Sequence, residues 1–256
     1  MKEKVILILV DGMRPDAMMN CGNEYAQQLL SEATYTLNAR TVSPSVTLPC
    51  HMSLFYGVEP DRHGILTNTY TPQVRPVEGL IERLDNNGKK CAFYYTWEEL
   101  RDLVLPGHLH SSVCCNLYKN ENADCKITDK AIEYINSESP DFVFLYLGET
   151  DDRGHNFSWM SDEYLKAVNN AINCVKRVRE SVSAEYTFIL TADHGGHKSF
   201  HGSEDDEDML IPLLLMGKQF EKGKELDQAS ILDISQTIVK LLETPPVKEW
   251  KGRSLI

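Results

Sequence analysis

Three apolar runs constrain this chain more than anything else in it. Val5–Val10 (VILILV), Asp141–Leu147 (DFVFLYL) and Tyr186–Thr191 (YTFILT) are nearly continuous stretches of aliphatic, β-branched and aromatic residues of strand length. Runs of that kind suit strands covered on both faces, the situation of a parallel sheet wrapped by helices. Each run leads into an aspartate: Asp11-Gly12 after the first, Asp151 within GETDDRGH after the second, and Asp193 within ADHGG after the third. In open α/β sheets ligands bind beyond the carboxyl ends of the strands. One Asp-Gly there is as readily a turn. Three aspartates in the same relation to three core strands are hard to explain as turns.

The segments between these runs read as a strand and helix alternation. Helices are expected over Glu24–Leu30, Val77–Leu84 (stopped by Asn86-Asn87-Gly88), Asp124–Asn136, Ser161–Val182 and Ser230–Leu242. Extended pieces are expected over Ala33–Val42, Cys91–Thr96, Ile211–Met216 and, with a weaker pattern, Leu109–Leu117. In the longest helix Leu165, Val168, Ile172, Val175, Val178 and Val182 share one stripe, which assigns them to packing. The fold class expected is α/β, a doubly wound, mostly parallel sheet with helices on both faces. The 256 residues, without repeats or low-complexity linkers, are read as one catalytic domain with no large cap insertion.

Composition narrows the partners. A formal net charge of −12 argues against a nucleic-acid backbone or an anionic membrane. An acidic chain still binds an anionic substrate where bound cations reverse the local sign. The seven cysteines are odd in number, scattered and without zinc-finger spacing, as expected of free, mostly buried thiols in a reducing compartment. Val5–Val10 is short for a signal peptide and far short of a membrane span. A soluble, cytoplasmic protein is expected.

Between the first two runs lies Thr41–Gly64, TVSPSVTLPCHMSLFYGVEPDRHG. A Ser/Pro turn leads to Thr47, then Pro49 and an apolar helix that ends at Gly57. Thr47 therefore falls at or next to a helix N-cap, where unpaired N–H groups and the positive end of the dipole suit a phosphate. A capping role alone would also account for it. Its hydroxyl becomes a useful nucleophile only with a base or metal to remove the proton. Asn68, in a following loop, carries an amide able to donate to a phosphoryl oxygen. Histidines follow two of the three aspartates: His155, His194 and His201. Asp11, Asp151, Asp193, these three imidazoles and Thr47 make seven oxygen and nitrogen ligands, a set that suits two divalent ions sharing a substrate. The run Asp205–Asp208 reads instead as a solvated loop.

Taken in order, DGMRPD from Asp11, TLPCHMS from Thr47, DRHGILTN ending at Asn68, DDRGH from Asp151, ADHG from Ala192 and HG from His201 resemble the alkaline phosphatase superfamily, most of all its nucleotide pyrophosphatase/phosphodiesterase branch. The resemblance spreads over most of the chain. It implies one metal held by Asp151, His155 and His201, and another by Asp11, Thr47, Asp193 and His194. It implies zinc as the ion, with manganese the alternative, and phosphoryl oxygens bound by Asn68 and the N–H of Leu48. His197 competes with His201; the family pattern, in which the last ligand precedes glycine, favours His201. His51 and His63 are expected to be structural hydrogen-bonders. Val46 and Cys50 stand where many of these diesterases carry lysine and asparagine. The activity implied is hydrolysis of a small phosphate ester or nucleotide through a phosphothreonine at Thr47. Phosphonate hydrolysis, phosphomonoester hydrolysis, a phosphomutase and a non-catalytic metal-binding module are the alternatives.

Overall fold

The computed structural model describes residues 3–256. Among the described residues eight strands form one sheet: β1 (Lys4–Val10), β2 (Thr34–Arg40), β3 (Cys91–Tyr95), β4 (Ser111–Cys114), β5 (Phe142–Leu147), β6 (Tyr186–Thr191), β7 (Leu210–Met216) and β8 (Lys224–Glu225). Their order is β4-β3-β5-β1-β6-β7-β2-β8. Among the described residues β7 alone runs against its neighbours, β6 and β2. The helices are α1 (Pro15–Asn20), α2 (Glu24–Glu32), α3 (Thr47–Tyr56), α4 (Pro60–His63), α5 (Leu80–Asp85), α6 (Ala123–Glu138), α7 (Glu149–Phe157), α8 (Asp162–Ser181), α9 (Asp206–Met209) and α10 (Asp233–Leu241).

The three apolar runs are the three central strands. β1 pairs in parallel with β5 on one side and β6 on the other, with Val10 opposite Leu147 and Leu9 opposite Thr191. β1 from Val5 on, and all of β5 and β6, are buried. Helices cover the sheet in two packed groups, α1, α2, α6 and α8 in one, α3, α4, α5 and α10 in the other. That is the doubly wound, mostly parallel arrangement the alternation predicts. Because the registers align, the carboxyl ends of β5, β1 and β6 lie side by side, and the Asp11 N–H donates to Leu147 O at 2.9 Å.

Several boundaries differ from the expectation. α5 begins at Leu80, not Val77: Gly79 is its N-cap, and the Glu82 carboxylate reaches back to accept from the Gly79 N–H. The extended piece expected over Leu109–Leu117 is cut to β4 and a 3₁₀ turn over Leu117–Lys119, because the Asn116 side chain caps Tyr118 N–H. Asp208 is fully buried, so the acidic run is not wholly solvated. Its carboxylate accepts from His197 Nδ1 at 2.8 Å and from the Ser203 N–H at 2.9 Å. Asp205 to Glu207 do face solvent.

Candidate active site

The site is assembled from the loops that leave β1, β5 and β6, with α3 above them. α3 is buried along its whole length, and Phe55 and His51 lie edge-on to Phe144 of β5. Val46 is its N-cap, with no side-chain capping bond, and Thr47 is the first helical residue. The Thr47 hydroxyl therefore does not cap the helix. It stands 3.2 Å from His194 Nε2.

Two sets of three ligand-type residues come together: Asp11, Asp193 and His194 in one, Asp151, His155 and His201 in the other. The stacked rings of His194 and His201, 3.8 Å between centroids, join the sets. Each imidazole is fixed by its Nδ1. His194 Nδ1–H donates to Gly195 O at 2.8 Å, His155 Nδ1–H to Ser199 O at 3.0 Å, and His201 Nδ1–H to Ser45 O at 2.8 Å. With the proton on Nδ1, every Nε2 turns a lone pair inward, the second-sphere arrangement of a metal-binding histidine. His194 Nε2 faces Asp11 Oδ1 at 3.4 Å and Asp193 Oδ2 at 3.3 Å. His155 Nε2 and His201 Nε2 face each other at 3.2 Å, with Asp151 Oδ2 3.4 Å from the former. Two inward lone pairs at that distance repel unless a cation lies between them.

The carboxylates are held in the same way. Asp193 Oδ1 accepts from the N–H groups of Gly12 (3.1 Å) and His194 (3.0 Å), and its Oδ2 is buried with no partner. Asp11 Oδ2 accepts from the Tyr146 hydroxyl, and its Oδ1 is likewise unpartnered, as is Asp151 Oδ1. Three buried carboxylate oxygens without donors would be costly in a finished polar core. Burial, then the charges of Asp193 and Asp151, pushes the Asp11 carboxyl well above the usual range. Burial, then Asp193 and Asp152, does the same to Asp151, and burial raises Asp193. Burial also drives His194 down to about 4 and His201 to about 3, so both are neutral donors near pH 7. Carboxylate oxygens and neutral imidazoles that lack partners of their own fit two divalent cations.

The remaining expectations divide. His201 joins Asp151 and His155, while its competitor His197 turns away to Asp208. His51 Nδ1–H donates to Thr47 O at 2.8 Å; His63 binds Ser53 Oγ at 3.0 Å and accepts from the Ile65 N–H, so both are the structural hydrogen-bonders expected. Asn68 and Leu48 do meet, but as partners: the Leu48 N–H donates to Asn68 Oδ1 at 2.9 Å. Leu48 N–H is thus not an open donor for a phosphoryl oxygen. It orients the Asn68 amide, whose Nδ2 carries two donors of its own. All seven cysteines are free, most of them buried.

Three contributors escape the sequence reading. Tyr146, inside a strand otherwise read as apolar packing, holds Asp11. Asp124, fully buried, accepts from the N–H groups of Gly148 (2.9 Å) and Glu149 (3.1 Å) and so pins the start of α7, which carries Asp151 and His155. Trp159 donates from Nε1 to Gly12 O at 2.9 Å, and a Cβ at Gly196 would fall 2.2 Å from its ring. The only available signal was local: a tyrosine, a tryptophan and glycines crowded around the ligand motifs.

Comparison with known proteins gives two family matches. The model described as Metalloenzyme superfamily matches residues 108–246, and that described as Type I phosphodiesterase / nucleotide pyrophosphatase matches residues 5–88. A 2,3-bisphosphoglycerate-independent phosphoglycerate mutase of Clostridioides difficile is 29% identical over 145 residues, 54% of this chain and 28% of the mutase. Human ectonucleotide pyrophosphatase/phosphodiesterase family member 1 is 25% identical over 213 residues, 74% of this chain and 23% of that protein. The chain thus spans about a quarter of the length of these curated relatives. Among solved structures, an inactive murine ectonucleotide pyrophosphatase/phosphodiesterase 5 in complex with AMP superposes with a TM-score of 0.80 at 14% identity, over 98% of this chain and 97% of that one.

Proposed function

We propose, from the premise that this chain belongs to the metalloenzyme superfamily and is alkaline phosphatase-like, of the nucleotide pyrophosphatase/phosphodiesterase type, that it hydrolyses phosphate esters with Thr47 as nucleophile. The observation that carries the reading is the Thr47 hydroxyl, uncommitted to helix capping and 3.2 Å from His194 Nε2 at the junction of the two ligand sets. Asp151, His155 and His201 would hold one divalent ion; Asp11, Asp193, His194 and Thr47 would hold the other, with zinc the ion expected and manganese the alternative. Such ions, when bound, lower the pKa of the attacking hydroxyl and offset negative charge on the leaving oxygen.

The chain's own residues do the rest. α3 holds Thr47 at its amino end, where the dipole favours an approaching phosphoryl group. Thr47 Oγ1 attacks phosphorus, the alcohol of the ester departs, and water later hydrolyses the phosphothreonine and restores the hydroxyl. Asn68 Nδ2 donates to a phosphoryl oxygen, its amide oriented by the Leu48 N–H. Tyr118 is 69% exposed and follows Leu117, whose side chain lies against Gly148 at the end of β5. Its ring offers a stacking face to a nucleobase or aryl group. With the match to the nucleotide pyrophosphatase/phosphodiesterase model, this favours a small nucleotide ester as the substrate class.

Diesters are expected to outrun monoesters. Two divalent ions bring four positive charges; three aspartates and the Thr47 alkoxide offset them. A monoester dianion then needs a further cation. Arg14 is taken up by Asp16 (2.7 Å), Glu207 (2.9 Å) and Gly196 O (3.0 Å), and Arg153 lies beside Asp152 and Phe157. The test compares kcat/KM for bis(4-nitrophenyl) phosphate, a nucleotide 4-nitrophenyl ester and 4-nitrophenyl phosphate at one pH, with product analysis. Preference for the monoester would overturn the charge argument. Return of phosphate to a sugar phosphate without release to water would mark a mutase instead.

A further inference from the structure

Trp159 touches each of the three loops that carry the aspartates. It lies between α7 and α8 and is buried. Its Nε1–H donates to Gly12 O at 2.9 Å, and the Tyr164 hydroxyl of α8 donates to the same carbonyl at 2.8 Å. Three glycines face the indole. A Cβ would fall 3.2 Å from the ring at Gly12, 2.7 Å at Gly154 and 2.2 Å at Gly196. Gly12 follows Asp11, Gly154 precedes His155, and Gly196 lies two residues after His194. Segments from both ligand sets therefore rest on one side chain.

The ring also meets two of the imidazoles. His155 stands edge-on to it, 5.1 Å between centroids at 86°, and His201 at 5.8 Å and 64°. The Nδ1 bonds to Ser199 O and Ser45 O fix where each Nε2 lone pair points; the indole limits the tilt of each ring about that bond. The backbone is bent to present this one side chain. Ser158 has φ +80° and Met160 φ +66°, on the left-handed side that residues with a Cβ avoid. The Trp159 N–H donates to Lys198 O at 2.6 Å, and Lys198 is itself at φ +50°. Three of the six such non-glycine residues among those described thus gather at this contact. Conformations of this kind persist only where the surrounding structure over-determines them.

We propose that Trp159 is the positioning residue common to both ligand sets. The loops of Asp11, of Asp151 and His155, and of Asp193 and His194 are registered against its ring, so the two ion sites keep or lose their geometry together. This rests on the two-ion reading of the site. A rigid indole passes on a displacement: a push from one loop moves the surface on which the others rest. Gly154 supplies such a push. It lies inside α7, where alanine is the better helix former, so Gly154→Ala leaves the helix itself sound. The added methyl would fall 2.7 Å from Trp159 Cδ2. No member of the Asp11, Asp193 and His194 set lies in α7, so an effect there has to travel through the ring.

The test measures Zn²⁺ affinity of the full chain by competition with a chromophoric chelator, and the visible spectrum of the Co²⁺-loaded chain. Wild type should take up two ions. Trp159→Phe loses the N–H and the outer ring. It should bind both ions about tenfold or more weakly, the loss usual for an outer partner of metal ligands, and its Co²⁺ bands should change in position and intensity. Asp151→Ala leaves the set of Asp11, Asp193 and His194 to be read alone. Adding Gly154→Ala to it should weaken that remaining ion by about tenfold. Wild-type affinities and Co²⁺ bands in Trp159→Phe, a loss confined to one ion, or no effect of Gly154→Ala on the remaining ion would overturn the proposal and leave the two-ion reading standing. No saturable Zn²⁺ binding by wild type would overturn that reading, and the proposal with it. Gly154→Ala keeps the tryptophan and answers the question even where Trp159→Phe fails to fold.

Discussion

Thr47 occupies a position where a threonine has little structural work left to do. It is the first residue of α3 rather than its cap, 3% exposed, and its hydroxyl points to His194 Nε2. Removing that hydroxyl does not remove a cap, and Asp11, Asp193 and His194 stay to hold the ion, so Thr47→Ala should keep the fold and most of the metal while turnover falls by several orders of magnitude. Thr47→Ser supplies the same oxygen and should retain part of the activity. Steady-state rates with elemental analysis of the same preparations separate the outcomes: wild-type turnover in Thr47→Ala would mean that water attacks directly. The sequence placed this residue well because a Ser/Pro turn followed by an apolar run is a local signal. It could not say that Val46 would be the cap, nor that the Leu48 N–H would be taken by Asn68 Oδ1, since both depend on how loops distant in sequence come to rest.

At the scale of elements, the ligands depend on how their short helices and turns are anchored. α7 begins with Glu149; the buried carboxylate of Asp124 on α6 accepts from the Gly148 and Glu149 N–H groups there, and Thr96 Oγ1 shares the Gly148 N–H. Asp124→Ala leaves the Glu149 N–H without an acceptor, at about 1–3 kcal/mol, and the Gly148 N–H with Thr96 Oγ1 alone at 3.0 Å. The expected result is a clear fall in Tm and loss of roughly one ion per chain, the one assigned to Asp151, His155 and His201, measured by calorimetry and elemental analysis. Retention of both ions at wild-type affinity would show that α7 holds its place without the cap. Legibility also varied by element. The three central strands could be read because burial on both faces leaves a continuous apolar signature, and each ligand motif followed directly in sequence. α5 could not be bounded, because Val77 packs into the core without being helical. Asp124, Tyr146 and Trp159 were invisible for a related reason: each sits in a segment whose local pattern is already explained by helix or core, and its partner lies 24 to 147 residues away.

For the molecule as a whole, the central fact is the concentration of buried acid at one edge of the sheet. Its consequence is a pH dependence that differs between the chelated and metal-loaded protein. In the chelated protein the carboxyls of Asp11, Asp151 and Asp193 are raised above their ordinary 3.8, by burial and then, for Asp11, by Asp193 and Asp151 and, for Asp151, by Asp193 and Asp152. Groups whose folded pKa is raised bind more protons folded than unfolded, so their contribution to stability is present at low pH and is lost as pH rises through the folded value. His194 and His201, lowered by burial from 6.5 to about 4 and about 3, act in the opposite sense: their contribution is full above 6.5 and is lost as pH falls. Below 6.5 the two trends oppose each other; above it the histidines no longer titrate, and what remains is the loss of the acids' contribution as pH rises through their raised values. The Tm of chelated protein should therefore fall with rising pH above 6.5. Bound divalent ions keep the same carboxylates ionised and paired, so the loaded protein should lack that component, and the Tm difference between the forms should widen toward alkaline pH. Asp124, raised to about 8 by burial and then Glu149, is present in both forms and cancels in the difference. Chelation should also take up protons from solution, measurable as a buffer-dependent heat. If the two Tm curves run parallel from pH 6.5 upward, the acids at this edge are not the groups that hold the ions, and the assignment of Asp11, Asp151 and Asp193 fails with them.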